Sequence, residues 1–199
     1  MTLPWHSDRK LGADTVARLV AEQFGLTDPA RYLSEGWDSE VFLVGDIVFR
    51  FPKRAEIVTD LELEKELLPR LRLPVAVPRF EYLGRPSADF PYPFVGYRII
   101  EGETADRVAA TPLLVEQLGE FVRALHAHDP SGVRPSIHRS PERMVARIRE
   151  RLHLVPPALR ERADAFLAAS LPAAYEGPPR LTHSDLLPQH LVLRDGRIA

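Results

Sequence analysis

The sequence predicts an α+β fold in two lobes, a β-rich first lobe followed by a helical one. Three observations predict it. Short β-prone runs fill most of the first ~100 residues, and only one strongly helical stretch, at 57–71, interrupts them. Beyond Gly102 the periodicity becomes mostly helical. The last residues, 181–199, return to short β-like pieces around an Asp195-Gly196 turn. The resulting boundaries are 1–101 for the first lobe and 102–199 for the second.

Each element has its own signal. Val16, Leu19, Val20 and Phe24 line one helical face over 15–24, and Gly25 follows where that helix would end. Tyr32-Leu33, residues 41–44 and residues 47–49 are strand-like, broken at Gly36-Trp37-Asp38 and Gly45-Asp46, so they form an antiparallel meander. The Glu- and Leu-rich stretch 57–71 is helical, with Pro69 closing it. Two more strands are expected at 79–83 and 94–100. Helices follow at 113–127, 141–152 and 157–171, two of them opened by a proline in the first turn.

Composition narrows the function. The chain has 199 residues, 26 Lys plus Arg against 28 Asp plus Glu, and no Cys. The near-neutral balance gives no basic field for nucleic acid. Without Cys there is no disulfide framework, thiolate metal site or cysteine nucleophile. No apolar run approaches the roughly 20 residues that span a bilayer, and the first residues lack the pattern of a signal peptide. A cytoplasmic protein without membrane contact is expected.

Three constellations carry chemistry. In the first, 33–44, a strand enters a turn at Gly36 and returns as a strand. Such a turn can lay backbone N–H groups over phosphates, although ordinary hairpins use the same residues. The second sets Arg50, on a strand, before the acidic helix that carries Glu64. A cation there neutralises phosphate charge if a helix carboxylate holds it. Glu62 and Glu66, two residues away on either side, occupy other helix faces. The third is His183-Ser184-Asp185, with Gln189-His190 about five residues later and a β run after that. This is the layout of a phosphotransferase loop, in which the Asp accepts a hydroxyl proton and a later polar side chain faces a metal.

Taken together and in this order, these stretches resemble the aminoglycoside phosphotransferase family, small-molecule kinases with a protein-kinase-like fold. The matching segments are LSEGWDSEVFLV, VFRFPKR, the Glu/Leu helix, FPYPFVGYRIIEGE, QLGEFVRALHAHD and LTHSDLLPQHLVLRDGRIA. The resemblance implies a nucleotide, ATP or GTP with Mg2+, and a hydroxylated small-molecule acceptor, an aminoglycoside first. Ser34, Gly36, Asp38 and Ser39 would form the phosphate-covering turn. Arg50 stands where the family has a phosphate-binding Lys, with Glu64 as its partner, and Arg98, Ile99 and Ile100 fall in the purine hinge. Asp185 matches the catalytic base and His183 the structural His of its loop. The usual Asn metal ligand falls at His190, a poorer donor for magnesium, with Gln189 beside it. A His there resembles the 2″-aminoglycoside and macrolide branches.

The resemblance also implies an Asp-Phe-Gly-like turn and further helices after Ala199. The expectation is therefore that residues 1–199 alone are inactive, and that apolar positions around Leu191, Leu193 and Ile198 stay exposed and favour self-association. Ser184 stands where protein kinases usually carry Arg, which argues against a protein substrate. His126 and His128 diverge on a helix and make a poor metal pair. Phe90, Tyr92 and Phe94 read as packing on the hinge side rather than as a stacking platform for bases.

Overall fold

The computed structural model describes residues 7–133, 141–169 and 177–199. The described residues are a mixture of helices and antiparallel strands, as the sequence predicts. Helix α1, Ala13–Phe24, ends on Gly25 in the left-handed conformation, whose N–H donates to the Ala21 carbonyl. Strands β1 (Ala30–Glu35), β2 (Ser39–Val44) and β3 (Ile47–Pro52) form the expected meander. Helix α2 covers Ile57–Leu67 and tightens into a 3-10 turn at Leu68–Arg70 that contains Pro69. Strands β4 (Tyr82–Gly84) and β5 (Phe94–Arg98) complete a five-stranded antiparallel sheet in the order β1-β2-β3-β5-β4.

Strand alternation divides this sheet into two chemically distinct faces. Phe42, Phe49 and Phe51 point to the face under α1, where Val16, Leu19 and Val20 meet them with Phe90 and Phe94. Phe90 and Phe94 therefore pack, as expected, but within this core rather than beside the hinge. Phe94 is its centre: its ring stacks on Phe51 at 4.5 Å and lies 6.0 Å from Phe24 and 6.3 Å from both Phe49 and Phe90. Gly84 lies against that ring, and a Cβ built there would sit 2.3 Å from it. Gly84→Ala is expected to lower stability by about 1–3 kcal/mol, because the ring cannot retreat through its neighbours. An unchanged denaturant midpoint would contradict the close approach.

The remaining elements follow in order. Strand β6, Glu103–Thr104, is a short piece that the sequence reading missed, because two residues show no periodicity. It pairs with β7 (Val192–Arg194), which pairs with β8 (Arg197–Ile198) across the predicted Asp195-Gly196 turn. Helix α3 runs Pro112–Ala127, and the Thr111 hydroxyl accepts the Leu114 N–H at 3.3 Å as its cap.

The contacts group Met1–Asp129 with Leu181–Ala199, and Pro130–Arg180 as a second unit. This grouping by contact differs in kind from the expected lobe division at 101/102. The second unit holds α4 (Pro141–Arg149), a 3-10 turn at Leu152–Leu154, and α5 (Pro157–Ala169). Arg149 Nε donates to Asp164 Oδ1 at 2.8 Å and ties α4 to α5. The expected end of the last helix, to 171, lies outside the described residues.

One expectation fails at the chain's end. Leu193 is buried, and Leu191, Val192 and Ile198 are half-buried. The Gln117 side chain on α3 accepts the Ile198 N–H at 3.1 Å, so α3 and the β6–β8 sheet cover much of this apolar surface. Self-association through it loses its basis. Among the described residues no helix is long and apolar enough to cross a membrane.

Candidate functional site

The site is built on the sheet face opposite the aromatic core. Val41 on β2 lies across from Arg50 on β3, and Val48 shares their face. Val41 and Val48 line a cavity of about 400 Å³ together with Leu33, Tyr97, Ile99 and Ile100. Phe121, His183 and His190 are also in its lining. Aliphatic walls of this kind suit a flat, weakly polar ring system.

Arg50 meets Glu64 in a bidentate pair, Nη1 to Oε2 at 2.7 Å and Nη2 to Oε1 at 3.3 Å. Helix α2 brings Glu64 to this face, while Glu62 turns to Lys65 at 2.7 Å. Burial works against the Arg50 charge most strongly. The attraction and hydrogen bonds of Glu64, helped by Tyr97 and Asp38, overcome it and hold the guanidinium above its ordinary range. Tyr97, beside this pair, has its phenol raised chiefly by burial, against the pull of Arg50.

The β1–β2 hairpin carries the other residues expected at the phosphates, Ser34 on β1, Gly36 and Asp38 in the turn and Ser39 on β2. Gly36 N–H donates to the Ser39 carbonyl at 2.9 Å and closes the turn. Ser34, Gly36 and Asp38 are exposed and Ser39 is buried; by strand alternation Ser39 shares the face of Val41 and Arg50. The turn is gripped from residues 53–54. Lys53 Nζ donates to the Gly36 carbonyl at 3.0 Å, Lys53 N–H to the Asp38 carbonyl at 2.8 Å, and Arg54 Nη1 to the Trp37 carbonyl at 2.9 Å.

The hinge differs in detail from the expectation. Arg98 turns outward to an exposed ion pair with Asp46. The Ile99 N–H donates to the Asp46 carbonyl at 2.9 Å, so it is already engaged. Ile99 and Ile100 enter the cavity lining, whereas Arg98 does not.

The loop 181–191 presents Asp185 with its carboxylate more than half exposed. Ser184, just before it, adopts the left-handed conformation at φ 65, a strain of the kind that accumulates at functional loops. The Asp185 carbonyl accepts from Leu187 N–H at 3.1 Å and from His190 Nδ1 at 2.7 Å. A carbonyl only accepts, so His190 carries its proton on Nδ1 and its neutral form leaves Nε2 as the lone-pair nitrogen. His183 lies 6.4 Å from the His190 ring and edge-on to Phe121 at 6.3 Å. Gln189 is exposed in the 3-10 turn Pro188–His190.

These residues do not compose a magnesium site by themselves. Among the described residues no group of three or more His, Cys, Asp or Glu converges to hold a metal, and Mg2+ prefers a full octahedron of oxygens. His128 serves the fold instead. Its Nε2 accepts the Arg72 N–H at 2.9 Å and fixes the connection after α2.

Sequence reasoning set Lys53 aside, as a residue just past the strand with less part in nucleotide binding than Arg50, and did not single out Arg54 or Gln117.

Comparison with known proteins gives a consistent picture. No curated protein sequence matches the chain. Among solved structures it is similar to aminoglycoside 2'-phosphotransferase-IIIa in its GDP complex, at 28% identity and TM-score 0.78, over 92% of this chain and 68% of that one. The streptomycin-ATP complex of APH(2")-IIa, at 21% identity, shares the fold with TM-score 0.67 over 96% of this chain and 69% of that one. The thermostable APH(4)-Ia mutant with AMP-PNP and hygromycin B does so at 19% identity and TM-score 0.68, over 94% and 69%. The sequence profile of the phosphotransferase enzyme family matches residues 29–199, nearly the whole chain. With its kinase-like sheet and helices, the chain belongs to the aminoglycoside phosphotransferase family.

Proposed function

We propose that this protein transfers the terminal phosphoryl group of ATP or GTP to a hydroxyl of a small molecule. An aminoglycoside is the first acceptor to test, and a macrolide or another hydroxylated metabolite the second. The observation that carries this reading is the bidentate Arg50–Glu64 pair on the face that lines the apolar cavity. A relative at 28% identity is a complex with GDP and kanamycin, which supports both halves of the reading.

The chemistry divides among the chain's own groups. The purine lies between the aliphatic walls and pairs with hinge groups other than the engaged Ile99 N–H. The turn 34–39 covers the phosphates. Arg50, held by Glu64, neutralises their charge as it spreads over the transferring oxygens. Asp185 accepts the acceptor's hydroxyl proton while that oxygen forms a bond to the terminal phosphorus, and the bond to the bridging oxygen breaks to release a nucleoside diphosphate. His183 holds the loop. Mg2+ would accompany the nucleotide and supply stabilisation of phosphate charge; His190 and Gln189 would hold only part of its shell.

Residues 1–199 span about two thirds of the solved relatives' length. Transfer of labelled phosphate to an antibiotic panel is therefore measured on these residues and on any longer natural form. Nucleotide binding by the 199 residues is read by calorimetry. Arg50→Ala is expected to weaken it by about tenfold or more, as loss of a charge-assisted contact does. Lys65→Ala, which removes a surface pair with Glu62, should leave it unchanged. Equal effects would misplace the site. Tight nucleotide binding with no transfer to any acceptor by the longer form would instead make the chain a nucleotide-binding module.

A further inference from the structure

We infer that Lys53 and Arg54 form a clamp that positions the phosphate-facing turn from its far side; the inference rests on the nucleotide reading above. Lys53 is 4% exposed, one of the few buried charges in the chain. Lys53 follows β3 directly, and its ammonium reaches Glu35, which lies across from Glu40 and so shares the face of Phe51 rather than that of Arg50. It therefore reaches the turn from the side opposite the cavity. Its ammonium meets the Gly36 carbonyl at 3.0 Å and Glu35 Oε2 at 3.4 Å. A buried ammonium is costly to desolvate, and an ordinary hairpin turn has no need of one.

The pattern of contacts says what that cation does. The carbonyls of Gly36, Trp37 and Asp38 are engaged in succession, by Lys53 Nζ, Arg54 Nη1 and Lys53 N–H. Carbonyl oxygens repel phosphate, and each one drawn onto a donor at 53–54 is a repulsion removed. In a trans peptide the following N–H points opposite to the carbonyl, so fixing three carbonyls also fixes the N–H groups of Trp37, Asp38 and Ser39. Oriented N–H groups of this kind attract anions. Arg54 is itself held, by Asp38 Oδ1 at 3.4 Å and Glu56 Oε1 at 2.9 Å. Lys53 also joins the clamp to the chain's start, because its carbonyl accepts the Asp8 N–H at 2.9 Å. Neither residue is placed to touch the substrate; both are positioning residues.

Two readouts test the clamp. Trp37 stands at the tip of the turn with 68% of its surface exposed, and Trp5 is the chain's other tryptophan. In a Trp5→Phe background, Trp37 anisotropy reports the order of the turn without any nucleotide. Lys53→Met, checked as folded by circular dichroism, is expected to lower that anisotropy. It should also lower affinity for a nucleoside triphosphate about tenfold while leaving affinity for the unphosphorylated nucleoside unchanged. Arg54→Gln, which removes one carbonyl contact of the three, is expected to move both readouts the same way by less, and decides the matter if Lys53→Met does not fold. Unchanged anisotropy, unchanged triphosphate affinity, or an equal loss for nucleoside and triphosphate overturns the clamp. If the unmodified protein binds neither compound, the functional reading fails, and Trp37 anisotropy alone decides the clamp.

Discussion

Asp185→Asn is expected to cut phosphoryl transfer by about 10²–10⁴-fold, the range for loss of a positioned general base. The amide is nearly isosteric and leaves the backbone carbonyl, which holds His190 Nδ1 and Leu187 N–H, in place. The loop should keep its shape, so nucleotide affinity is expected to stay at the unmodified level. The loss should fall on kcat, because an amide cannot take the acceptor's proton. Single-turnover transfer by a form of the protein that turns over, with the protein in excess over labelled triphosphate, isolates this step. Transfer at the unmodified rate would remove Asp185 from the reaction and turn attention to the histidines on its loop.

The second large effect concerns stability. Phe94→Ala should destabilise the protein by about 3–5 kcal/mol, at the upper end for core aromatics. The ring contacts those of Phe24, Phe49, Phe51 and Phe90 and is 1% exposed, so its removal leaves a hole bounded by rigid neighbours. Gly84, opposite it, has no side chain to fill the space. Domains of this size carry only about 5–15 kcal/mol of stability in total. Denaturant unfolding followed by near-ultraviolet circular dichroism measures the change. A loss below about 1 kcal/mol would mean that the cluster repacks, contrary to the close packing expected of such cores.

How much of this was legible in the sequence depended on the range of the signal. The meander, α1 with its Gly25 stop and α2 with its Pro69 closure are local patterns, and the chain declared them within a dozen residues. The pairing of Arg50 with Glu64 was legible because spacing and chemistry agreed: Glu62 and Glu66, two residues to either side, occupy other helix faces. Contacts made across long separations were not. Nothing local marks Glu103-Thr104 as a strand, since its partner lies near residue 193. The burial of Leu193 and the Gln117 contact to Ile198 are tertiary events of the same kind. Lys53 reads as an ordinary surface cation because Lys is usually exposed. The hinge is visible in the sequence, yet the engagement of the Ile99 N–H by Asp46 is a matter of backbone geometry that residue types do not encode.

Arginine at position 50 has a chemical consequence outside the catalytic cycle. Guanidinium is not a nucleophile at any pH at which proteins survive, whereas the amine it replaces in related sites acylates readily. Nucleotide-shaped acyl phosphates, which tag kinases by transferring an acyl group to that amine, find no reactive atom here. Lys53, just past the same strand, is almost wholly buried and engaged with Gly36 and Glu35. On the nucleotide reading proposed above, a survey with such reagents records no acylation at position 50 even when nucleotide is bound, and silence there carries no information about binding.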